Sequence, residues 1–165
     1  MPGIDWRKHL SHDAHPVTQF IKYAVAGGVA TASNIVIFFL IGWFLLPCLT
    51  PSDPLVKLFG LDAPSLDDVL RARRAIYANS IGFVISNFLA WLLNRWFVFR
   101  PGRHHVLVEV GLFYAVSGVS FVLGSTLMGV LIGRFGLSTS VAFGANIVVA
   151  LLINYAMRKF VIFKG

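Results

Sequence analysis

Charged residues are scarce in this chain, and their scarcity excludes an ordinary soluble domain. Only 13% of the residues are Asp, Glu, Lys or Arg, whereas 57% are hydrophobic, and the mean hydropathy is +0.77. Soluble globular domains carry about 25% charged residues. The composition therefore predicts a membrane protein with almost no chain left for a soluble catalytic domain, and we expect neither an enzyme nor a nucleic-acid partner.

Acidic residues and cysteine are the rarest chemical groups in the apolar part of the sequence. A proton-coupled exporter needs a carboxylate inside the membrane, and the nearest candidate, Glu109, stands at the edge of an apolar run. Drug–proton antiport is therefore disfavoured. Cys48 is the single cysteine, so an intrachain disulfide is excluded and a buried or interfacial thiol is expected.

Long stretches without any charge define the membrane-spanning segments. They lie between Lys22 and Asp53, Arg74 and Arg95, Glu109 and Arg134, and Arg134 and Arg158. Each stretch can hold the roughly 20 residues that a spanning helix needs. The fold class predicted is an all-α integral membrane protein. Its four transmembrane helices are expected over about 20–46, 75–99, 107–133 and 139–163.

Lys and Arg are distributed unequally between the two ends of these helices. One side carries Arg7, Lys8, Lys22, Arg95, Arg100, Arg103, Arg158, Lys159 and Lys164. The other side has Arg134 and the loop 47–74, in which acidic residues balance the basic ones. Because positive flanks stay in the cytoplasm, both termini and the tail 1–19 are predicted to be cytoplasmic, and the loop 47–74 extracytoplasmic.

Two predicted helices end in the same order of residues, which indicates an internal repeat. Residues 94–100 and 158–164 share a basic-aromatic-x-x-Phe-basic ending, and residues 23–27 read like residues 114–118. The chain is therefore predicted to be a duplicated two-helix hairpin, with two parallel repeats about an axis along the membrane normal. Several glycines indicate close helix packing or, less strongly, dimerisation: Gly27, Gly28, Gly118, Gly129 and Gly133.

The polar residues inside the predicted helices are mainly asparagines. They are Asn34, Asn79, Asn87, Asn94, Asn146 and Asn154. Steps of seven or eight residues place those of one helix near one face. Amides donate and accept hydrogen bonds without the cost of burying a charge, so they could line a path for a hydroxyl-rich cargo. Hydrogen bonding between helices is an equally good interpretation.

Basic side chains form two predicted sites, one at each membrane surface. The cytoplasmic set, a candidate phosphate-binding site, comprises Lys22, Arg95, Arg100, Arg158, Lys159 and Lys164. Ordinary positive-inside anchoring with an aromatic belt is the alternative. In the proline-rich loop 47–74, Ser65 to Asp68 has the form of a capping box, and Asp67 is placed to pair with Arg71. The second helix is then expected to begin near Leu66 and to carry an outer basic collar of Arg71, Arg73 and Arg74, which could also be snorkelling side chains.

Three segments carry a resemblance to a known family: residues 20–28, 92–99 and 154–163. Over about residues 18–164 the chain resembles the GtrA-like family of small polytopic membrane proteins, so residues 20–164 would form one GtrA-like four-helix domain. The residues that fall in the family's motifs are Asn94, Arg95, Asn154, Arg158 and Lys159. The chain departs from the pattern at Ala90 and in its longer loop.

The resemblance implies work on polyprenyl-phosphate-linked sugars, which family members are proposed to flip from the cytoplasmic to the outer leaflet. We therefore expect translocation of such a lipid for cell-surface polysaccharide synthesis, in a bacterial-type inner membrane and beside a membrane glycosyltransferase. A homodimer or heteromer is expected, without cofactor or metal, since His9, His12 and His15 would bind a metal weakly at best. The alternative is a membrane scaffold or regulator of the glycosyltransferase that transports nothing.

Overall fold

The computed structural model describes residues 16–98 and 105–157, and every regular element within these ranges is helical. Helix α1 is Pro16–Leu40 and continues as a π-helical turn, Ile41–Leu45. A short helix α2, Pro54–Phe59, precedes α3, Asp68–Leu93, which also ends in a π-helical turn, Asn94–Val98. Helices α4, Val106–Phe135, and α5, Thr139–Met157, complete the described chain.

The helices are those of a membrane protein, as the composition predicted. Three segments are long and apolar enough to cross a bilayer: Ile21–Leu45, Asp68–Val98 and Val106–Phe135. The apolar part of α5 that the structure describes is shorter, Thr139–Ile153. Large apolar side chains such as Val25, Val84 and Val122 remain exposed on the outside of the bundle, as expected for a surface that faces lipid.

The start of α3 differs in detail from its sequence prediction. Asp67, not Ser65, is the N-cap: its carboxylate accepts hydrogen bonds from the backbone N–H groups of Val69 at 3.0 Å and Leu70 at 3.2 Å. The partner of Arg71 is Asp68, at 2.6 Å, rather than Asp67. The predicted capping box and the predicted Asp67–Arg71 pair are therefore wrong, because capping by Asp67 keeps its carboxylate at the helix end.

The helices pack in the order of the chain: α1 on α3, α3 on α4, and α4 on α5. We call the end with residues 16, 98, 106 and 157 the terminal end, and the end with residues 46–67 and 136–138 the loop end. A buried apolar core fills the loop half of the bundle: Phe38, Ile41, Cys48, Ala72, Ala75, Ala78, Met128, Ile132, Ala142 and Phe143. At its centre the rings of Phe38 and Phe143 stack with their centroids 3.7 Å apart.

The glycines divide into two groups that the sequence did not separate. A Cβ atom on Gly129 would lie 2.7 Å from Ile76 Cδ1 of α3, and one on Gly133 would lie 3.6 Å from Ala72 Cβ. The predicted close packing is confirmed there, within one chain. A Cβ on Gly27, Gly28 or Gly118 would meet nothing within 4 Å, so the same prediction is wrong for these three.

A network centred on the buried Asp53 holds the loop end together. The Asp53 carboxylate accepts from Leu55 N at 3.1 Å, which caps α2, and from Ser140 N at 2.9 Å, in the first turn of α5. The Ser140 hydroxyl donates to the same carboxylate, and the Thr139 hydroxyl donates to the Cys48 carbonyl. One fully buried side chain therefore stabilises the start of two helices far apart in sequence.

Cys48 is completely buried beside this network, so the reactivity of its thiol shows whether the loop end is closed to solvent. Burial raises the pKa of the Cys48 thiol to about 12, with a further contribution from the nearby Asp53 carboxylate. Since the thiolate is the reactive form, a raised pKa and burial both protect the thiol at neutral pH. We expect the folded protein to resist maleimide labelling at pH 7 and to be labelled after denaturation. Rapid labelling of the folded protein would contradict the closed loop end.

Candidate functional site

A cavity of about 620 Å³ lies among the four long helices in the terminal half of the bundle. Helices α1, α3, α4 and α5 all contribute to its walls. Its walls combine apolar side chains with polar ones, which include Thr31, Asn34, Asn79, Ser86, Asn87, Asn94, Arg95, Glu109, Ser117, Ser120 and Asn146. This volume falls in the range of roughly 300–1,000 Å³ that is typical of sites for small molecules.

Five of the six predicted path asparagines line this cavity. They are Asn34, Asn79, Asn87, Asn94 and Asn146, whereas the side chain of Asn154, on α5, lies outside the described residues. Asn79 joins two helices, because its Nδ2 donates to Ser125 Oγ at 2.8 Å. The Asn79 side chain therefore forms a hydrogen bond between α3 and α4. Other cavity asparagines keep a buried amide atom that has no hydrogen-bond partner.

Three of the cavity asparagines carry a buried polar atom without a hydrogen-bond partner. They are Asn34 Oδ1, Asn87 Nδ2 and Asn94 Oδ1. Asn94 uses its Nδ2 to donate to the Ala90 carbonyl at 2.7 Å, which leaves its Oδ1 directed elsewhere. Buried polar groups are almost always paired, because an unpaired one costs about 1–3 kcal/mol. Unpaired amide atoms on a cavity wall are therefore groups that a polar ligand can satisfy.

Two glycines leave the space that the side chains of two cavity asparagines fill. A Cβ on Gly82 of α3 would overlap Asn34 Oδ1, and a Cβ on Gly124 of α4 would overlap Asn146 Oδ1. The two contacts lie at about the same depth, near the Asn79–Ser125 hydrogen bond. Glycine at these positions lets the amides sit between helix backbones, at the level where the polar cavity meets the apolar core.

An ion pair stands at the terminal end of the cavity. Arg95, in the π-helical end of α3, donates from Nη1 to the carboxylate of Glu109, in the first turn of α4. The two side chains are 25% and 18% exposed. The Arg95 guanidinium also lies 5.7 Å from the centre of the Trp91 ring. The ring and the carboxylate together hold the half-buried guanidinium in place.

The other predicted phosphate-binding residues are dispersed or outside the described part of the chain. Lys22 is half-buried on α1, beside the cavity residue Tyr23. The remaining members lie outside the described residues: Arg100, Arg158, Lys159 and Lys164. Of the predicted cytoplasmic set, the structure therefore brings only Arg95 to the wall of the described cavity.

The predicted outer collar is only partly exposed. Arg71 is 2% exposed and donates to the Leu137 carbonyl at 2.9 Å as well as to Asp68. Arg74 donates to the Pro47 carbonyl at 3.1 Å, and Arg73 alone of the three is exposed. Arg71 and Arg74 therefore tie the loop end together instead of projecting from it, and headgroup contact stays a prediction for Arg73.

Sequence reasoning noted Glu109 only as a carboxylate at a helix edge and overlooked Trp91 as part of a site. The packing of α3 and α4 brings Glu109 to Arg95, which no local pattern encodes. Trp91 lies one helical turn before Arg95 on the same helix, and this spacing of four residues is the signal that could have found it. The cavity hydroxyls of Ser86, Ser117 and Ser120 were also missed. As for metals, the described residues contain no cluster of three or more His, Cys, Asp or Glu side chains, and His9, His12 and His15 lie outside them.

The chain is similar to known membrane proteins over much of its length. The family model for the GtrA/DPMS transmembrane domain matches residues 69–163. The cell wall teichoic acid glycosylation protein GtcA of Listeria innocua is 26% identical over 151 residues, which are 90% of this chain and 86% of that protein. The uncharacterized membrane protein YwcD of Bacillus subtilis is 26% identical over 90 residues, 53% of this chain and 71% of that protein. No solved structure matches significantly.

Proposed function

Because the chain belongs to the GtrA/DPMS transmembrane-domain family, we propose that it serves glycosylation based on polyprenyl-phosphate sugars, by carrying the sugar-phosphate head of such a lipid across the membrane. The name of the Listeria relative, a cell wall teichoic acid glycosylation protein, supports the glycosylation context. The observation that carries the transport step is the polar cavity with unpaired amides inside an otherwise apolar bundle.

The cavity suits the head of a glycolipid because it offers hydrogen bonds without a net charge of its own. A sugar brings hydroxyl groups that both donate and accept, and the free Nδ2 of Asn87 and the free Oδ1 of Asn34 and Asn94 match both kinds. Without these partners, moving a sugar through about 30 Å of hydrocarbon is prohibitive. The apolar core fills the loop half, and we therefore propose that the path is entered from the terminal side.

Arg95 is proposed to bind the phosphodiester that links sugar and lipid. The Glu109 carboxylate pairs with the Arg95 guanidinium, and a phosphodiester carries the same single negative charge. Exchange of one anion for the other keeps the Arg95 cation paired throughout, while the displaced Glu109 carboxylate, whose side chain is 18% exposed, has to be hydrated instead. Glu109 is thus proposed to pair with Arg95 until the phosphodiester of the lipid binds.

The membrane topology that we propose for transport places both termini and the tail 1–19 in the cytoplasm and the loop 47–74 outside. Four spanning helices, as two parallel repeats, would then load the lipid from the cytoplasmic leaflet, where a partner glycosyltransferase makes it. Four helices form a thin wall around a sugar, so the working unit is proposed to be a homodimer or heteromer. Without energy coupling, transport would be driven by consumption of the sugar on the outer face.

A scaffold for the glycosyltransferase is the second candidate, and one observation favours it. The Asn79–Ser125 hydrogen bond shows that at least one buried asparagine holds helices together. A pure scaffold would need only such contacts, and it would not need buried amide atoms without a partner. Asn79 and Asn87, which lie on the same helix, therefore allow the two functions to be separated.

Asn87→Leu is expected to reduce translocation about tenfold while the protein stays as stable as the wild type or becomes more stable. Leucine has the same number and branching of side-chain heavy atoms and removes a buried donor that has no partner, whereas transport loses a polar contact of ~1.4 kcal/mol. The measurement is the translocation of a polyprenyl-phosphate hexose in proteoliposomes that contain this protein alone, with protein-free liposomes as the blank.

Asn79→Leu is the matched control, and it should lower the unfolding temperature because it removes the hydrogen bond to Ser125. No translocation by the correctly folded wild type would reject the transport function and favour the scaffold. Translocation that Asn87→Leu leaves intact would keep the transport function and remove Asn87 from the path.

A further inference from the structure

Helices α1 and α5 line the same cavity, yet they share no extended interface within the described residues. They meet near the loop end, at the stacked rings of Phe38 and Phe143. Closer to the terminal end, the two helices border the cavity with Tyr23, Gly27 and Thr31 on α1 and with Ile147, Ala150 and Leu151 on α5. We call this boundary the α1–α5 seam. The seam is the side of the cavity that helix packing does not close.

The seam connects the polar cavity with the apolar exterior of the bundle. Leu151 on α5 lines the cavity and is 59% exposed, as are the α4 lining residues Leu112 at 56% and Val116 at 60%, so apolar side chains of the cavity wall face both regions. A Cβ on Gly27 would meet nothing within 4 Å, so the α1 side of the seam has space as well as low polarity. In a bilayer, the exterior at this depth is hydrocarbon.

We propose that the α1–α5 seam is a binding slot for the polyprenyl tail of a lipid whose phosphate and sugar occupy the cavity. This inference rests on the proposed function and adds the place of the tail. The side chains of Asn87 and Asn94 are more than nine-tenths buried and keep unpaired atoms in the cavity, which points to a polar head there.

A long apolar tail cannot share the polar cavity with that head, because its burial among amides would leave them unpaired. It must leave the cavity sideways, and among the described residues α1 and α5 are the neighbouring helices without an extended interface, whereas α1–α3, α3–α4 and α4–α5 each have one. The seam suits an isoprenoid chain because Gly27 on one side and Leu151 on the other carry no polar side-chain group. A second copy of this chain covering the seam would block that exit, so it is the competing occupant.

The adjacent glycines on α1 provide a test with a matched control. Gly27 lines the cavity at the seam, whereas Gly28 is exposed and lies outside the cavity wall, and a Cβ at either position meets nothing. Leucine at either position brings the same gain in helix propensity. Gly27→Leu is expected to lower translocation of a long-chain polyprenyl-phosphate hexose about tenfold, equivalent to ~1.4 kcal/mol, and Gly28→Leu should match the wild type.

A second measurement judges the seam even if the protein does not transport. A polyprenyl phosphate with a photoactivatable group in its tail is cross-linked to the wild-type protein and to both leucine variants in vesicles, and the labelled peptides are identified by mass spectrometry. We expect labelling at residues 23–31 and 147–151, reduced in Gly27→Leu and unchanged in Gly28→Leu. The exposed α4 residues Val122 and Leu123 serve as the reference for non-specific lipid contact.

Labelling no greater at the seam than at Val122 and Leu123 would overturn the proposal, and it is the result expected if a second copy of the chain covers the seam. Equal translocation by the two leucine variants, with an active wild type, would also overturn it while leaving the transport function in place. Seam-specific labelling by an inactive wild type would reject transport but keep the tail slot.

Discussion

Asp53→Ala is expected to lower the free energy of unfolding by about 3–5 kcal/mol, since three hydrogen bonds to a buried carboxylate are lost together. The substitution removes the N-cap of α2, worth about 0.5–2 kcal/mol, and leaves the N–H and hydroxyl of the partly buried Ser140 without this partner. The three hydrogen bonds are not independent, so the total loss of stability is smaller than the sum of the costs of losing each one separately. Unfolding of the purified protein in bicelles, followed by circular dichroism, measures the change.

The same substitution should make Cys48 accessible to maleimide in the folded protein, because Asp53 fixes Ser140 next to the Thr139 hydroxyl that binds the Cys48 carbonyl. Asp62→Ala is the matched control: this carboxylate is exposed in the same loop, so its loss should change neither stability nor labelling. Asp53→Asn should fall between alanine and the wild type, because an amide retains one acceptor oxygen. Stability equal to that of the wild type in Asp53→Ala would show that the loop end is held without this network.

The positions of the helices could be predicted from the sequence because charges are costly in hydrocarbon, and charge-free stretches therefore mark the spans. The path asparagines could also be predicted to share a face, because residues at steps of seven or eight recur on one side of a helix. The structure brings Asn79, Asn87 and Asn94 to one cavity wall for this reason. Whether these residues serve a sugar path is what the Asn87 variant tests.

The contacts of the loop end could not be predicted, because they depend on how separate segments meet. Prolines predicted an irregular loop, yet Pro54 occupies the first position of α2, where its missing N–H costs nothing. Arginine side chains usually lie at the surface, yet the Arg71 side chain is buried and donates to the Leu137 carbonyl. Residue type also fails to distinguish Gly129, which packs against Ile76, from Gly27, which borders an open space.

Arg95→Gln is expected to reduce translocation of a polyprenyl-phosphate hexose about 100-fold, because a half-buried contact between guanidinium and phosphate of roughly 2–3 kcal/mol is removed. Binding of polyprenyl phosphate, measured by its protection of the protein against thermal unfolding, should weaken to a similar degree. Arg134→Gln is the control: Arg134 is exposed in the last turn of α4, at the opposite end of the bundle, so its loss should leave translocation unchanged.

Glu109→Gln should act in the opposite direction on binding, and this distinguishes an exchangeable partner from a supporting one. If the phosphodiester replaces the Glu109 carboxylate on Arg95, glutamine removes a competitor and tightens the binding of a polyprenyl-phosphate hexose by about tenfold, or ~1.4 kcal/mol. If Glu109 only holds Arg95 in position, the same substitution weakens binding. Arg95→Gln combined with Glu109→Gln should bind far more weakly than Glu109→Gln alone, because the cation that holds the phosphate is absent.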